Sequence, residues 1–135
     1  MEGSVYGNTG LTAAGKDGLK TLIVDNSPQV REHLISLVSH LERIQLVGQA
    51  GDVAEAMQAI QTLKPDIIIM DPLTPGGGVQ TLQQIKALSP DSIIVMLAFY
   101  PHSRYRNQYL LAGADYVLDK LTEVKKVSQV LESLV

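Results

Sequence analysis

From Lys20 to the end of the chain, short apolar runs alternate with longer stretches in which apolar residues recur every three or four positions. The runs Thr21-Leu22-Ile23-Val24, Ile67-Ile68-Ile69-Met70 and Ile93-Ile94-Val95-Met96 carry no charge and are too short for helices. Such continuous β-branched runs are expected of strands covered on both faces, as in parallel sheets. Five strands are predicted, at Lys20–Asp25, Ile44–Ala50, Asp66–Asp71, Ser92–Ala98 and Asp115–Leu118.

The intervening segments read as amphipathic helices. Ser27 is placed to cap the first, with Pro28 at its opening position, and Val30, Leu34, Leu37, Val38 and Leu41 form its apolar stripe. Asp52 with Glu55 has the spacing of a capping box ahead of Val53, Met57 and Ile60, and Lys64-Pro65 ends that helix. After the loop Pro72-Leu73-Thr74-Pro75-Gly76-Gly77-Gly78, a third helix is patterned by Val79, Leu82, Ile85 and Leu88. A fourth is expected near His102–Ala112, stopping at Gly113, and a fifth, capped near Thr122, turns Val124, Val127, Leu131 and Leu134 inward. Strand and helix alternate throughout, so the expected fold class is α/β: a three-layer, doubly wound (βα)5 domain with a five-stranded parallel sheet. Residues 1–18 hold five glycines and no apolar periodicity, and are expected to be a flexible tail ahead of a domain spanning 19–135.

Composition narrows the function classes. With 135 residues the chain suits one domain with a real core. A formal charge of −3 argues against a nucleic-acid footprint, which is normally basic. No apolar stretch is long enough to span a bilayer, and the start lacks the basic and apolar regions of a signal peptide, so no membrane partner and a cytoplasmic location are expected. The absence of cysteine excludes disulfides and thiol chemistry.

The candidate chemistry sits directly after the apolar runs. Asp25 and Asn26 follow the first strand, Asp71 the third, and Lys120 the segment Tyr116-Val117-Leu118-Asp119. In a parallel sheet these side chains meet at the carboxyl edge, where open α/β folds bind ligands. An aspartate can take up a phosphoryl group as an acyl phosphate, a reaction that needs positioning and charge neutralisation above all. A hard divalent ion held by carboxylates, and a lysine acting as a point charge, supply that neutralisation. Asp71 is therefore the candidate acceptor, Asp25 and Asn26 the metal side, and Lys120 the cation.

In these residues the sequence resembles the receiver domains of two-component response regulators. The matching stretches are Leu22-Ile23-Val24-Asp25-Asn26-Ser27-Pro28, Pro65-Asp66-Ile67-Ile68-Ile69-Met70-Asp71 with Pro75-Gly76, and Gly113-Ala114-Asp115 leading to Lys120. The likeness covers everything from about Lys20 onward. It implies the flavodoxin-like strand order 2-1-3-4-5, a phosphoryl group accepted on Asp71 from a histidine kinase or phosphotransfer protein, and Mg²⁺ held by Asp25, Asn26, Asp71 and the backbone carbonyl of Leu73. Ala98 keeps the small residue that lets a phosphate approach. A stand-alone domain acting on a downstream protein target is expected, with no catalysis beyond its own phosphoryl acceptance and self-dephosphorylation.

The sequence also departs from the pattern of that family. Asn26 stands where a second acid is usual, which predicts weaker Mg²⁺ binding. Leu97 stands where a threonine or serine would bond the phosphoryl oxygen, and Val117 where an aromatic switch residue is expected. Tyr116 is one place away and, in a strand, on the opposite face. These departures support an alternative reading, a phosphorylation-independent receiver-like module that binds proteins. Five of the six aromatics (Phe99, Tyr100, Tyr105, Tyr109 and Tyr116) fall between residues 99 and 116, beside Arg104 and Arg106. Tyrosine with arginine is a composition favoured at interfaces. Tyr100, Arg104, Tyr105, Tyr109 and Tyr116 are thus interface candidates, for a partner or for a homodimer through the face of the fourth helix, fifth strand and fifth helix. Glycines 76–78 match no nucleotide-binding motif and read as a flexible crossover, and His33 and His40 read as surface residues.

Overall fold

The structure, a computed structural model, describes residues 18–99 and 103–135, without the side chains of Ser103 and Arg104. The expected tail lies outside it up to residue 17, as does Tyr100. Five strands, β1 (Leu19–Val24), β2 (Ile44–Ala50), β3 (Ile67–Met70), β4 (Ile93–Ala98) and β5 (Tyr116–Asp119), form one parallel sheet in the order β2-β1-β3-β4-β5. Between and after them run α1 (Pro28–Val38), α2 (Val53–Leu63), α3 (Val79–Leu88), α4 (Ser103–Ala112) and α5 (Lys126–Ser133). This is the flavodoxin-like strand order, reversing direction between β1 and β3.

Side-chain alternation along the strands divides the core in two. Leu22, Val24, Ile68, Met70, Ile94, Met96 and Val117 face one way and pack with Ala56 and Ile60 of α2, Leu82 and Ile85 of α3 and Ala112 of α4. Ile23, Ile67, Ile69, Val95, Leu97 and Leu118 face the other way, against Leu34 and Val38 of α1 and Val127 and Leu131 of α5. Each buried aliphatic side chain contributes on the order of 1.5–3 kcal/mol, so these two layers hold the sheet in place.

Local chemistry sets the helix ends. The Ser27 hydroxyl accepts from the Val30 N–H, and Asp52 accepts from the Glu55 N–H at 2.8 Å. Glu55 reaches back to the Gly51 N–H at 2.7 Å, one residue earlier than an ideal capping box would place it. Lys64 ends α2 in the left-handed conformation (φ 49°), ahead of Pro65. Gly113, at φ 124°, closes α4, and a Cβ there would lie 3.0 Å from the Lys86 side chain.

Three expectations are corrected. Strand β5 sits one residue later than predicted, because the Asp115 carboxylate accepts from the Ile94 N–H at 2.8 Å and fixes Asp115 as a turn. The last helix begins at Lys126 rather than near Thr122: the Asp119 side chain accepts from the Leu121 N–H and its carbonyl from the Glu123 N–H, making a tight turn first. Leu88, expected inside, is exposed at the end of α3.

Candidate functional site

The backbone places the site residues one step past the ends of their strands. The Asp25 N–H donates to the Ala50 carbonyl at 3.0 Å, Asp71 to Val24 at 3.0 Å and Lys120 to Ala98 at 2.9 Å. Each of these bonds extends a strand ladder by one residue, so all three side chains emerge at the carboxyl edge around the β1/β3 reversal.

There they meet. Lys120 Nζ lies 2.5 Å from Asp25 Oδ2 and 2.6 Å from Asp71 Oδ2. The three side chains are 5%, 3% and 9% exposed, so two carboxylates share one cation almost out of water. The second oxygen of each acid is held by its own following turn: Asp25 Oδ1 accepts from the Ser27 N–H and Asp71 Oδ1 from the Leu73 N–H, both at 2.9 Å. The contact of Lys120 with Asp71 is a hydrogen-bonded ion pair. That with Asp25 is an ion contact outside hydrogen-bond geometry, so the Lys120 ammonium alone faces the buried Asp25 Oδ2. A site in which two buried carboxylates share one ammonium has an excess of anionic oxygen and suits a further hard cation.

The other predicted residues take distinct places. Asn26 is exposed beside Asp25, its amide donating to the Gly51 carbonyl at 3.3 Å. Ala98 is buried at the end of β4, and Leu73 is an exposed residue of the β3–α3 loop. Leu97 is 1% exposed and packs into the layer beneath α1 and α5; it brings no polar atom to the edge. Val117 is buried on the opposite layer, while Tyr116 packs toward α1 and α5, on the face expected of it. Among the interface candidates, Tyr105 is 50% exposed, whereas Tyr109 packs partly buried against the core under α2, α3 and α4. Tyr109 and Tyr116 are thus core-facing side chains rather than free surface. His33 and His40 are exposed, and no cluster of three His, Cys, Asp or Glu residues forms a metal site among the described residues.

Sequence reasoning did not assign two residues that border the site. Phe99 presents its ring to Lys120, with the ammonium 5.0 Å from the ring centre, a cation–π contact at the mouth of the acid pair. Arg106 of α4 donates to the Val117 carbonyl and lies 3.8 Å from Glu123, which itself accepts from the Asp119 N–H. A hydrogen bond from Lys126, then the Asp119 N–H, holds Glu123 below its ordinary pKa. The positions of Phe99, right after a strand, and of Arg106, on a helix facing that edge, were the signals available.

Fold and site together define a doubly wound α/β domain whose switch point carries an acid pocket bridged by lysine. The family model of the response regulator receiver domain matches residues 21–132. The chain belongs to that family. It is 26% identical over 117 residues to the response regulator GacA of Pseudomonas aeruginosa, covering 86% of this chain and 55% of that protein. It is 40% identical over 81 residues to protein-glutamate methylesterase/protein-glutamine glutaminase 3 of Myxococcus xanthus, covering 59% of this chain but 23% of the relative. The chain therefore spans between about a quarter and about half of these relatives. In fold it matches the signal receiver domain of the putative response regulator NarL from Mycobacterium tuberculosis, with TM-score 0.80 and 21% identity over 88% of this chain and 97% of that one.

Proposed function

We propose that Asp71 accepts a phosphoryl group from a phosphohistidine of a histidine kinase or phosphotransfer protein. The observation that carries this reading is the Lys120 ammonium set between Asp25 and Asp71, at 2.5 and 2.6 Å, on the switch edge of the sheet. In the transfer an Asp71 oxygen forms the new P–O bond, the P–N bond to the donor imidazole breaks, and its electron pair leaves with the imidazole nitrogen. The Leu73 N–H fixes one Asp71 oxygen and so orients the carboxylate, and Lys120 stands ready to neutralise the oxygens of the transferring group. Attack by water on the acyl phosphate later restores the carboxylate.

Mg²⁺ would be held by Asp25, Asp71, the Asn26 amide oxygen and the Leu73 carbonyl, and when bound it offsets the charge of the phosphoryl oxygens. Asn26 contributes an oxygen but no charge, so affinity for the ion is expected to be lower than with a second acid.

The downstream partner is a protein that docks near the site. Leu111 (88% exposed), Tyr105, Leu110, Phe99 and Leu121 give the region of α4 and the β5–α5 turn an apolar surface. A second reading, a binding module that works without phosphorylation, is favoured by the apolar, buried side chains of Leu97 and Val117.

Incubation with acetyl phosphate, with and without Mg²⁺, followed by intact mass, tests the first reading. A Mg²⁺-dependent gain of one phosphoryl group, absent in Asp71→Asn, is expected. No gain at high Mg²⁺ would overturn phosphoryl acceptance and leave the binding module.

A further inference from the structure

We propose that Phe99 is a positioning residue for the Lys120 ammonium, its ring receiving that ammonium when a divalent ion takes the Oδ2 atoms of Asp25 and Asp71. This rests on the assignment of those two acids to the ion under the proposed function, and adds a role for a side chain which that function does not use.

The acid pair has little free oxygen. Asp25 Oδ1 already accepts from the Ser27 N–H and Asp71 Oδ1 from the Leu73 N–H, both at 2.9 Å. The two Oδ2 atoms remain, and Lys120 Nζ lies 2.5 and 2.6 Å from them. Mg²⁺ draws its oxygens to about 2.0–2.1 Å, so an ion on these Oδ2 atoms and the ammonium compete for one seat. Charge decides between them. Two carboxylates against one ammonium leave a single negative charge in the pocket, and Asn26 adds none. A divalent ion reverses that balance, so the ammonium beside it is repelled from the oxygens it now holds.

Phe99 is placed to receive it. The Lys120 N–H donates to the Ala98 carbonyl at 2.9 Å, and Ala98 is the register partner of Asp119, so Phe99 and Lys120 are neighbours across the ends of β4 and β5. The ammonium is 5.0 Å from the ring centre, within the range of a cation–π contact. The ring joins neither layer of the core and is 45% exposed, so the core gives no reason for an aromatic here. An ammonium held by two carboxylates gains little from the ring face. Once it has left them it gains more, because the ring is then its nearest described partner. The backbone bond to Ala98 keeps Lys120 at the edge, so the exchange is one of side-chain rotamers.

The chain has a single phenylalanine, so ¹³C labelling of that residue type reports on Phe99 alone. The test titrates Mg²⁺, with no phosphoryl donor present, into the full chain as wild type, Phe99→Leu, Lys120→Met and the double variant, and reads affinity by calorimetry. In wild type the Phe99 ring resonance should shift in step with Mg²⁺ occupancy. Phe99→Leu keeps every charge and an apolar cover, yet should bind Mg²⁺ about two- to fivefold more weakly, the size of an exposed cation–π contact. Lys120→Met should bind it about tenfold more tightly, as for removal of a unit charge beside a divalent ion near water. In that background Phe99→Leu should change nothing, whereas a merely structural ring would matter equally with and without Lys120. An unmoved ring resonance, equal affinity of wild type and Phe99→Leu, no tightening in Lys120→Met, or an equal penalty in both backgrounds would each overturn the proposal, as would absence of Mg²⁺ binding from every chain. Should Lys120→Met fail to fold, the ring resonance and the comparison of wild type with Phe99→Leu decide the matter. Intact mass after acetyl phosphate separates the two readings: a wild type that binds Mg²⁺ as expected and gains no phosphoryl group fails the proposed function and leaves Phe99 in its role.

Discussion

Replacing Lys120 by methionine isolates what the ammonium does for the fold. The variant keeps the aliphatic stem and removes the charge from between two carboxylates whose side chains are 3% and 9% exposed. At 2.5 and 2.6 Å, each ion pair is an attraction of roughly 6–7 kcal/mol at an effective dielectric near 20. Most of that is offset by the desolvation of three ions, several kcal/mol apiece, so the intact triple adds little net stability. Truncation is different, because it leaves both carboxylates desolvated and facing each other. A loss of about 3–5 kcal/mol is expected, a large share of the roughly 5–15 kcal/mol that a domain of this kind has. Urea unfolding at pH 7 followed by circular dichroism measures it, as a fall in midpoint of about 2 M for a slope near 2 kcal/mol/M. Asp71→Asn supplies the contrast in sign: it leaves Lys120 with one carboxylate, balancing the charge, and stability should hold or rise. Mg²⁺ should restore part of what Lys120→Met loses, about 2.7 kcal/mol at a hundredfold excess over its dissociation constant. A Lys120→Met variant within about 1 kcal/mol of wild type would refute the reasoning, as would an Asp71→Asn variant equally destabilised.

Two further outcomes follow from the same geometry. Leu97→Thr, which supplies the missing hydroxyl on β4, should cost about 2–4 kcal/mol, since it removes volume from the layer beneath α1 and α5 and buries a hydroxyl among aliphatic groups; a melting temperature lowered by less than about 4 °C would contradict this. The raised Tyr109 phenol predicts an alkaline dependence: the unfolded residue ionises near 10.0 while the folded one keeps its proton, so this contribution is complete below pH 10 and is lost as pH rises through the folded value. Tyr109→Phe should flatten the fall of stability above pH 10, and an unchanged slope in urea titrations there would count against it.

How much of this was legible from sequence depended on the range of the forces involved. Charge-free runs such as Ile67–Met70 and local caps such as Asp52 with Glu55 are decided within a few residues, and strand β2 and helix α2 lie where the pattern put them. The meeting of Asp25, Asp71 and Lys120 was legible because a parallel sheet brings the ends of its strands to one edge. The start of α5 was not: Thr122 is a good cap in isolation, but Asp119 captured the following N–H groups first and spent those residues on a turn. Nor was the inward direction of Tyr109, since α4 has too weak an apolar stripe to show which face meets the sheet.

The two layers of the core bear on what the departures at Asn26, Leu97 and Val117 mean. Leu97 and Tyr116 pack on the side of α1 and α5, Val117 on the side of α2, α3 and α4. A hydroxyl on β4 and an aromatic on β5 would therefore have to act across the sheet edge together, and here each position is filled by an aliphatic group that packs well where it is. The edge itself is unlike that: its buried carboxylates exceed its cations, and Lys120 is held by acids on both sides and by the Phe99 ring. Such an arrangement is a poor choice for stability alone, because aliphatic residues in its place would fold as well or better. An edge built this way beside an apolar Leu97 and Val117 is what the proposed phosphoryl acceptance on Asp71 would require, since the charge is kept where the transferring group would be neutralised.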